Sequence, residues 1–482
     1  MMEAMKGHLI DFIISGSLLL IGSLLIGSIV AIVIATIHKS KEGKMKVVQD
    51  AVNKDTLTGL PLSIYSYSQM INLLEQAEAN EYEVISIDID KFSAINKYYG
   101  SQKGTQMIQV MAESLLKVFK DEIKSGKTLI TRYSAEQFYI LRPNEESKKM
   151  IQMAIVVLRE MSKDILGPGY NLSLSIGVYK IQDPKEVGSS IFRKATLARK
   201  KGKLEYTTTI INFNEAMEKE EENKFNVVYR MQRALEDGEF YIKYRPKINL
   251  KTQRICGAEA SVRWQPKLTN EEILPEDFIP VFENNGFITK LDVYVFEAIC
   301  RLIKTNHNHI YIPTISIKVS GMTILDKTYI PKILAIMENY DVKATEIELE
   351  ITESMLVTDQ EEFLSAVQRY RNLGFKVILT NFGMGISTIN HIRMIEANIL
   401  KIDKALINNN GTPERTEIVV QNMLQLAKRL DMQTLVEGVE TAEQVRWLQK
   451  LGCDRAQGDY FSEPLSEEAF KLLLEERKQY AI

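Results

Sequence analysis

The sequence predicts an α/β chain in three parts: an N-terminal transmembrane helix, an α+β domain, and a closed barrel of the (β/α)8 type. The first rests on an uncharged apolar run, Phe12–Ile37. The second rests on short strands gathered around a hairpin signal. The third rests on apolar runs that each end in polar residues, with amphipathic helical patterns between them. These runs are Ile255–Trp264, Thr314–Lys318, Ile347–Glu353, Val377–Asn381, Ile399–Asp403 and Thr434–Glu437, and the last is marked by Gln457. Strand–helix alternation implies a parallel sheet, and this many units imply closure. Such barrels gather functional side chains at the C-terminal strand ends, so the recurring polar residues predict one shared pocket. Glu259 and Arg263 interrupt the apolar run Ile255–Trp264, and charges within a buried strand need a reason.

Phe12–Ile37 is long enough to cross a bilayer core. Lys39, Lys41, Lys44 and Lys46 follow it, against Lys6 before it, which places the following chain in the cytoplasm. A single-pass cell-membrane protein with both folded domains cytoplasmic is therefore expected. Residues 1–11 form an outer segment too short for an external sensor domain. Ser23, Gly27 and Ala31 either pack against a second helix or face lipid. Residues 38–54 read as a helical linker, ended by Asp55–Pro61, where Gly and Pro punctuate the chain.

Residues 55–211 read as the α+β domain. Val84–Asp90 is a strand whose end carries Asp88 and Asp90. Met107–Phe119 is an amphipathic helix. Leu129–Tyr133 and Phe138–Leu141 form a hairpin across Ser134–Gln137, and Leu172–Tyr179 is a further alternating strand. The basic residues Arg193, Lys194 and Arg199–Lys203 read as a solvated helix end. Residues 212–233 form a charged helical linker, and residues 234–482 form the barrel domain.

Composition sets outer limits. The 482 residues are 45% apolar and carry a net charge of −3, with no long basic stripe, so no nucleic-acid polymer is expected as a partner. Cys256, Cys300 and Cys453 form no CxxC and read as buried thiols of a reducing compartment. His307 and His309 read as part of a surface loop.

Several of these residues stand in recognisable motifs. Asp55–Pro61, Asp88-Ile-Asp90-Lys-Phe92, Asn96 and Ser134–Phe138 resemble a GGDEF domain, the diguanylate cyclase fold. Tyr244–Pro246, Glu259-Ala-Ser261, Glu350-Ile-Thr-Glu353, Phe382-Gly383, Lys401-Ile-Asp403, Glu437-Gly-Val-Glu440 and Gln457-Gly458 resemble an EAL domain, the cyclic-di-GMP phosphodiesterase fold, a modified (β/α)8 barrel. The resemblance spans roughly residues 50–480. It is denser in motifs over the barrel.

The resemblance implies a set of site residues. Phosphodiester hydrolysis by two Mg²⁺ or Mn²⁺ ions needs hard oxygen ligands. Of the family's ligands, Glu259, Glu350 and Glu437 are in place, with the water-assisting Lys401. Lys318 stands at the Asn position, Thr380-Asn381 at the Asp pair, and Arg245 at the Gln of the Tyr-Arg-Pro segment. An ammonium about 4 Å from a divalent ion repels it by roughly 8 kcal/mol at an effective dielectric near 20. Arg263 suits phosphate. Glu353 and Gln457 are retained, Glu353 where the family uses it to hold the next loop. Lys318 either takes over positive charge for an anionic ligand or pairs with Glu259 or Glu350 and closes the pocket. In the first domain Ser134 and Ala135 replace two glycines, Gln137 an acid and Thr105 the guanine-reading Asp. Ser125 and Thr128 stand at an inhibitory RxxD site. Asp88 and Glu136 remain as possible ligands for one metal.

The expected function is that of a membrane-bound pseudo-enzyme: an inactive cyclic-di-GMP receptor or regulatory EAL protein, homodimeric, acting on an unknown downstream protein. No cofactor is required in this reading. The alternatives are a weak phosphodiesterase with one Mg²⁺ or Mn²⁺ on Glu259, Glu350 and Glu437, and a nucleotide-independent scaffold. GTP binding to the first domain is a further possible input.

Overall fold

The structure is a computed structural model that describes residues 53–144, 147–203, 207–267, 271–306, 312–352, 360–382, 394–407, 413–476 and 479–480. The chain divides into two compact units, Met1–Glu220 and Glu221–Ile482. The apolar run 12–37 lies outside the described residues. Among the described residues no helix is long and apolar enough to cross a membrane.

In the first unit a five-stranded sheet runs in the order β2-β3-β1-β4-β5. The strands are β1 (Tyr82–Ile89), β2 (Leu129–Ser134), β3 (Gln137–Pro143), β4 (Leu174–Lys180) and β5 (Thr209–Asn212). β1 is central, antiparallel to β3 and β4, and buried along its whole length. Side chains alternate across a strand, so Ile85, Ile87 and Ile89 enter one core while Tyr82 and Val84 enter another. β2 and β3 form the expected hairpin. Its turn holds Ala135 at φ +40°, left-handed backbone that a side chain disfavours. The helix Gly188–Lys201 lies tight on β4, because a Cβ on Gly177 would run into the backbone of Ala195 and Arg199.

The second unit is a closed barrel in the order β10-β11-β12-β13-β6-β7-β8-β9. Its strands are β6 (Phe240–Asn249), β7 (Arg254–Trp264), β8 (Thr314–Lys318), β9 (Ile347–Thr352), β10 (Lys376–Phe382), β11 (Ile399–Ile402), β12 (Gln433–Val436) and β13 (Arg455–Ala456). The expectation of a wholly parallel sheet needs one correction: β6 runs antiparallel to both β7 and β13. The reason is local. Only four residues join β6 to β7, with Asn249 Oδ1 accepting from the Lys251 and Thr252 amides at 3.0 and 2.9 Å and Gln253 at φ +60°. So short a connection makes a hairpin and no crossover. The helix Glu215–Glu236 docks its Val227 and Ala234 into the barrel's apolar core.

Candidate functional site

Strand alternation builds the site. On β9, Glu348 and Glu350 are two apart and face the barrel interior together, both buried. On β7, Glu259, Ser261 and Arg263 share a face in the same way. On β8, Thr314, Ser316 and Lys318 do so beside them, with Lys318 in register with Glu350. The interior therefore carries stacked polar layers where barrels of this type commonly stack branched apolar side chains.

The deeper layer centres on Glu348. Lys247 Nζ lies 2.9 Å from it and Arg455 3.0 Å, and Thr314 donates at 3.2 Å. The upper layer centres on Lys401, only 4% exposed. Its ammonium lies 2.8 Å from Glu259, 2.9 Å from Glu350 and 3.0 Å from Glu437. Glu350 links the layers. It also meets Lys247 at 3.4 Å and accepts from Ser316 Oγ. Gln457 Nε2 donates to Glu259, while its buried Oε1 has no hydrogen-bond partner among the described residues.

The charges shift one another. Burial alone raises the Glu350 carboxyl, but the Lys401 and Lys247 ammonium groups hold it well below the usual carboxylate range. Burial works against the Lys401 ammonium, yet Glu259, Glu350 and Glu437 keep it charged to well above the ordinary lysine value. Glu437 goes the other way: burial raises its pKa, and the Lys401 it shares with two further carboxylates does not fully offset that.

The other expected site residues stand at the rim. Arg263 donates to Ser261 Oγ and, at 3.0 Å, to the Val262 carbonyl, and meets Glu272 at 3.4 Å. Arg245 pairs with Asp459 at 2.7 Å. Lys318 is exposed and makes no ion pair among the described residues, so the pocket-closing contact with Glu259 or Glu350 is absent. Physically, Lys401 and Lys247 already satisfy Glu350. Lys318, Arg263 and Glu259 line a cavity of about 790 Å³ with Asp292 and Ser320. Asp292 is buried, accepts from the Ser320 amide at 3.1 Å, and is pushed up to about 7 by burial and by the nearby Glu283 charge against the Thr323 and Ser320 hydrogen bonds. Thr380 is buried in β10 beside Thr352. Glu353, His307 and His309 lie outside the described residues.

Sequence reasoning did not single out Lys247, Glu348, Arg455 or Ser316. The signal was present for Glu348, because Ile-Glu-Leu-Glu-Ile-Thr puts it on the face of Glu350. The three expected metal ligands of the barrel do converge, but on an ammonium. Among the described residues no group of three or more His, Cys, Asp or Glu side chains is arranged to hold a metal ion.

In the first unit, too, a cation meets an expected metal ligand. Arg199 is no solvated helix end. It is 4% exposed, with one guanidinium nitrogen on Asp88 and another 3.1 Å from Ser86 Oγ. The tight seat of its helix on Gly177 carries it there. Burial raises Asp88, with Arg199 opposing and Glu136 adding repulsion. Asp90 instead accepts from Ser173 at 2.8 Å and Ser175 at 2.6 Å.

Two family models match the chain: the diguanylate cyclase GGDEF domain over residues 52–207 and the EAL domain over residues 229–464. The chain is a tandem GGDEF–EAL protein of cyclic-di-GMP signalling. It is similar to the signaling protein YkoW of Bacillus subtilis, 26% identical over 90% of this chain and 54% of YkoW. It is similar also to the cyclic di-GMP phosphodiesterase PdeR of Escherichia coli, 24% identical over 87% of this chain and 63% of PdeR. The chain spans about half the length of the first curated relatives it matches. Among solved structures, the S helix-GGDEF-EAL portion of Vibrio cholerae LapD, bound to c-di-GMP, shares the fold at 17% identity, with a TM-score of 0.50 over 87% of this chain and 99% of that one. The EAL enzyme Bd1971, in its cAMP- and cyclic-di-GMP-bound form, shares the fold at 16% identity, with a TM-score of 0.51 over 83% of this chain and 96% of that one.

Proposed function

We propose that this GGDEF–EAL protein is a cyclic-di-GMP receptor whose barrel holds the dinucleotide without a divalent metal and does not cleave it. One observation carries the reading: the Lys401 ammonium sits within 3.0 Å of Glu259, Glu350 and Glu437 together. An internal cation already compensates the carboxylates that a metal would need. Lys318, exposed and unpaired among the described residues, adds positive charge at the mouth for an anionic ligand. Arg263 offers a planar fork of donors to phosphate oxygens, in exchange for its contact with Glu272. Neither role needs the acids Thr380 and Asn381 have replaced.

The first domain is a regulatory or structural module in this reading, with Arg199 neutralising Asp88. The run Phe12–Ile37 anchors the chain in the cell membrane, with both domains on the cytoplasmic side, where the ligand would bias contact with a downstream protein. The competing reading is a weak phosphodiesterase, favoured by the convergence of the same three carboxylates and by the similarity to the cyclic di-GMP phosphodiesterase PdeR. Calorimetric titration of the chain with cyclic-di-GMP in EDTA tests the proposal. Binding is expected, and its absence removes the receptor reading.

A further inference from the structure

Strands β6 and β7 make a two-stranded ribbon at the barrel mouth. β7 pairs with β8 from Gly257 to Ala260, and past that point residues 261–264 pair with residues 240–243 of β6. Tyr241, Lys243 and Arg245 share one face of β6, opposite Arg263, Ser261 and Glu259 of β7. From the loop after β7, Glu272 reaches back onto this ribbon. Its carboxylate accepts from the Tyr241 hydroxyl and lies 3.0 Å from Lys243 Nζ and 3.4 Å from Arg263 Nε. One carboxylate thus gathers a phenol, an ammonium and a guanidinium. Burial raises the Glu272 carboxyl, but the Tyr241 and Lys243 hydrogen bonds and the Lys243 and Arg263 charges hold it below the usual carboxylate range. The Tyr241 phenol, pushed up to about 12 by burial and by its bond to Glu272, stays a donor.

The backbone behind Glu272 is fixed, because the Ile273 and Trp264 amides donate to each other's carbonyls at 2.7 and 3.4 Å. The side chains are not: Lys243 is 31% exposed and Glu272 28%. Pairs so open to water are held weakly and exchange readily with other anions. Arg263 also stands where two cavities meet. It lines the cavity of about 790 Å³ and a second of about 230 Å³ that reaches Arg245, Glu437 and Gln457.

We propose that Glu272 is the built-in occupant of a phosphate subsite made by Arg263, Lys243 and Tyr241, and that a phosphodiester of the bound dinucleotide displaces it. The inference rests on the receptor reading and adds Lys243 and Tyr241 to that site. A carboxylate and a phosphodiester each offer a guanidinium one negative charge and a fork of acceptor oxygens. Turning Glu272 outward leaves an ammonium and a guanidinium for one phosphate. A solute without an anionic fork leaves Glu272 in place, so the same carboxylate sets selectivity as well as affinity. The acids nearby do not share this role. Among the described residues Glu271 and Glu276 form no ion pair, and Glu259 is engaged by Lys401 at 2.8 Å.

The test is calorimetric titration of cyclic-di-GMP into the full chain in EDTA, for the wild type, Glu272→Gln, Glu271→Gln and Lys243→Ala. Glu272→Gln is expected to bind about fivefold tighter than the wild type, the upper end of what a part-exposed ion pair is worth. Glu271→Gln, which removes the same charge one residue away, is expected to bind as the wild type does. Lys243→Ala is expected to bind about fivefold more weakly. A Glu272→Gln protein that binds no tighter, or more weakly because Glu272 serves to orient Arg263, overturns the proposal and leaves the receptor reading standing. An equal gain in Glu271→Gln reduces the effect to net charge and overturns it too, as does wild-type affinity in Lys243→Ala. Absence of binding in all four proteins overturns the receptor reading and this inference with it.

Discussion

Lys401 Nζ and a Glu350 carboxylate oxygen lie 2.9 Å apart in the barrel interior, and neither residue is more than 4% exposed. So buried an ion pair is stabilising only while both partners remain, because removal of one leaves the other desolvated and uncompensated. Glu350 also serves Lys247 at 3.4 Å, so it holds two cations in place.

Glu350→Gln is therefore expected to destabilise the barrel by about 3–5 kcal/mol, the scale of breaking a buried pair. Glu437→Gln is expected to leave stability unchanged or raise it slightly, because Glu437 is the carboxylate whose proton affinity the fold increases. Urea unfolding followed at the barrel's tryptophans, Trp264 and Trp447, compares them. Equal losses would contradict this ranking.

Asp292 predicts a pH dependence. Burial lifts its pKa from 3.8 to about 7, so the folded state binds a proton that the unfolded state has released across that interval. Its contribution to stability is full below pH 3.8 and is lost as pH rises towards 7. Asp292→Asn keeps an acceptor for the Ser320 amide and has no proton to lose. The difference in melting temperature between variant and wild type is expected to grow in the variant's favour from pH 4 to pH 7, roughly the interval between the two pKa values. A pH-independent difference would contradict the assignment.

Ala135 holds left-handed backbone at φ +40° in the β2–β3 turn. Ala135→Gly is expected to stabilise the first unit by about 1 kcal/mol, the cost of a Cβ in that region. Chemical denaturation of the wild type and the variant measures it. The glycine is not expected to restore synthesis of cyclic-di-GMP from GTP and Mg²⁺, because Arg199 still holds Asp88 and Gln137 brings no acid. Product that vanishes on Glu136→Ala would overturn that expectation.

Much of the fold was legible because strands and their termini leave local marks. Thr314–Lys318 reads directly as β8, and the polar ends of β7, β9, β11 and β12 point to one pocket. The inverted β6 was less legible, since its direction depends on a hairpin whose Asn249 side chain folds back on the next amides. Lys247 and Arg455 were missed because an isolated basic residue in a short apolar run carries no sign of its partner; theirs is Glu348, about a hundred residues away from each. Arg199 was misread because a run of basic residues at a helix end looks solvated, and only Gly177 on a separate strand lets that helix come close enough to bury it. Glu353 and the Phe382–Gly383 motif could be read from sequence, but Glu353 and Gly383 lie outside the described residues.

Arg263 predicts a quantity. Arg263→Ala is expected to weaken cyclic-di-GMP binding by about 1.5–3 kcal/mol, the scale of a hydrogen bond to a charged group. Lys318→Asn with Thr380→Asp and Asn381→Asp restores a neutral and two anionic ligands, and is expected to make binding respond to Mg²⁺. Titrations of both variants with and without metal read these effects, and an Arg263→Ala protein with wild-type affinity would remove Arg263 from the site.

The proposed function has Lys401 and Lys318 do the electrostatic work of metal ions. Its most direct test is one calorimetric titration of cyclic-di-GMP into the wild-type protein, run in EDTA and again in Mg²⁺, with the recovered nucleotide analysed by chromatography. Equal affinity in the two buffers and intact dinucleotide afterwards are the predicted result. Binding that EDTA abolishes, or a linear dinucleotide product in Mg²⁺, would contradict it.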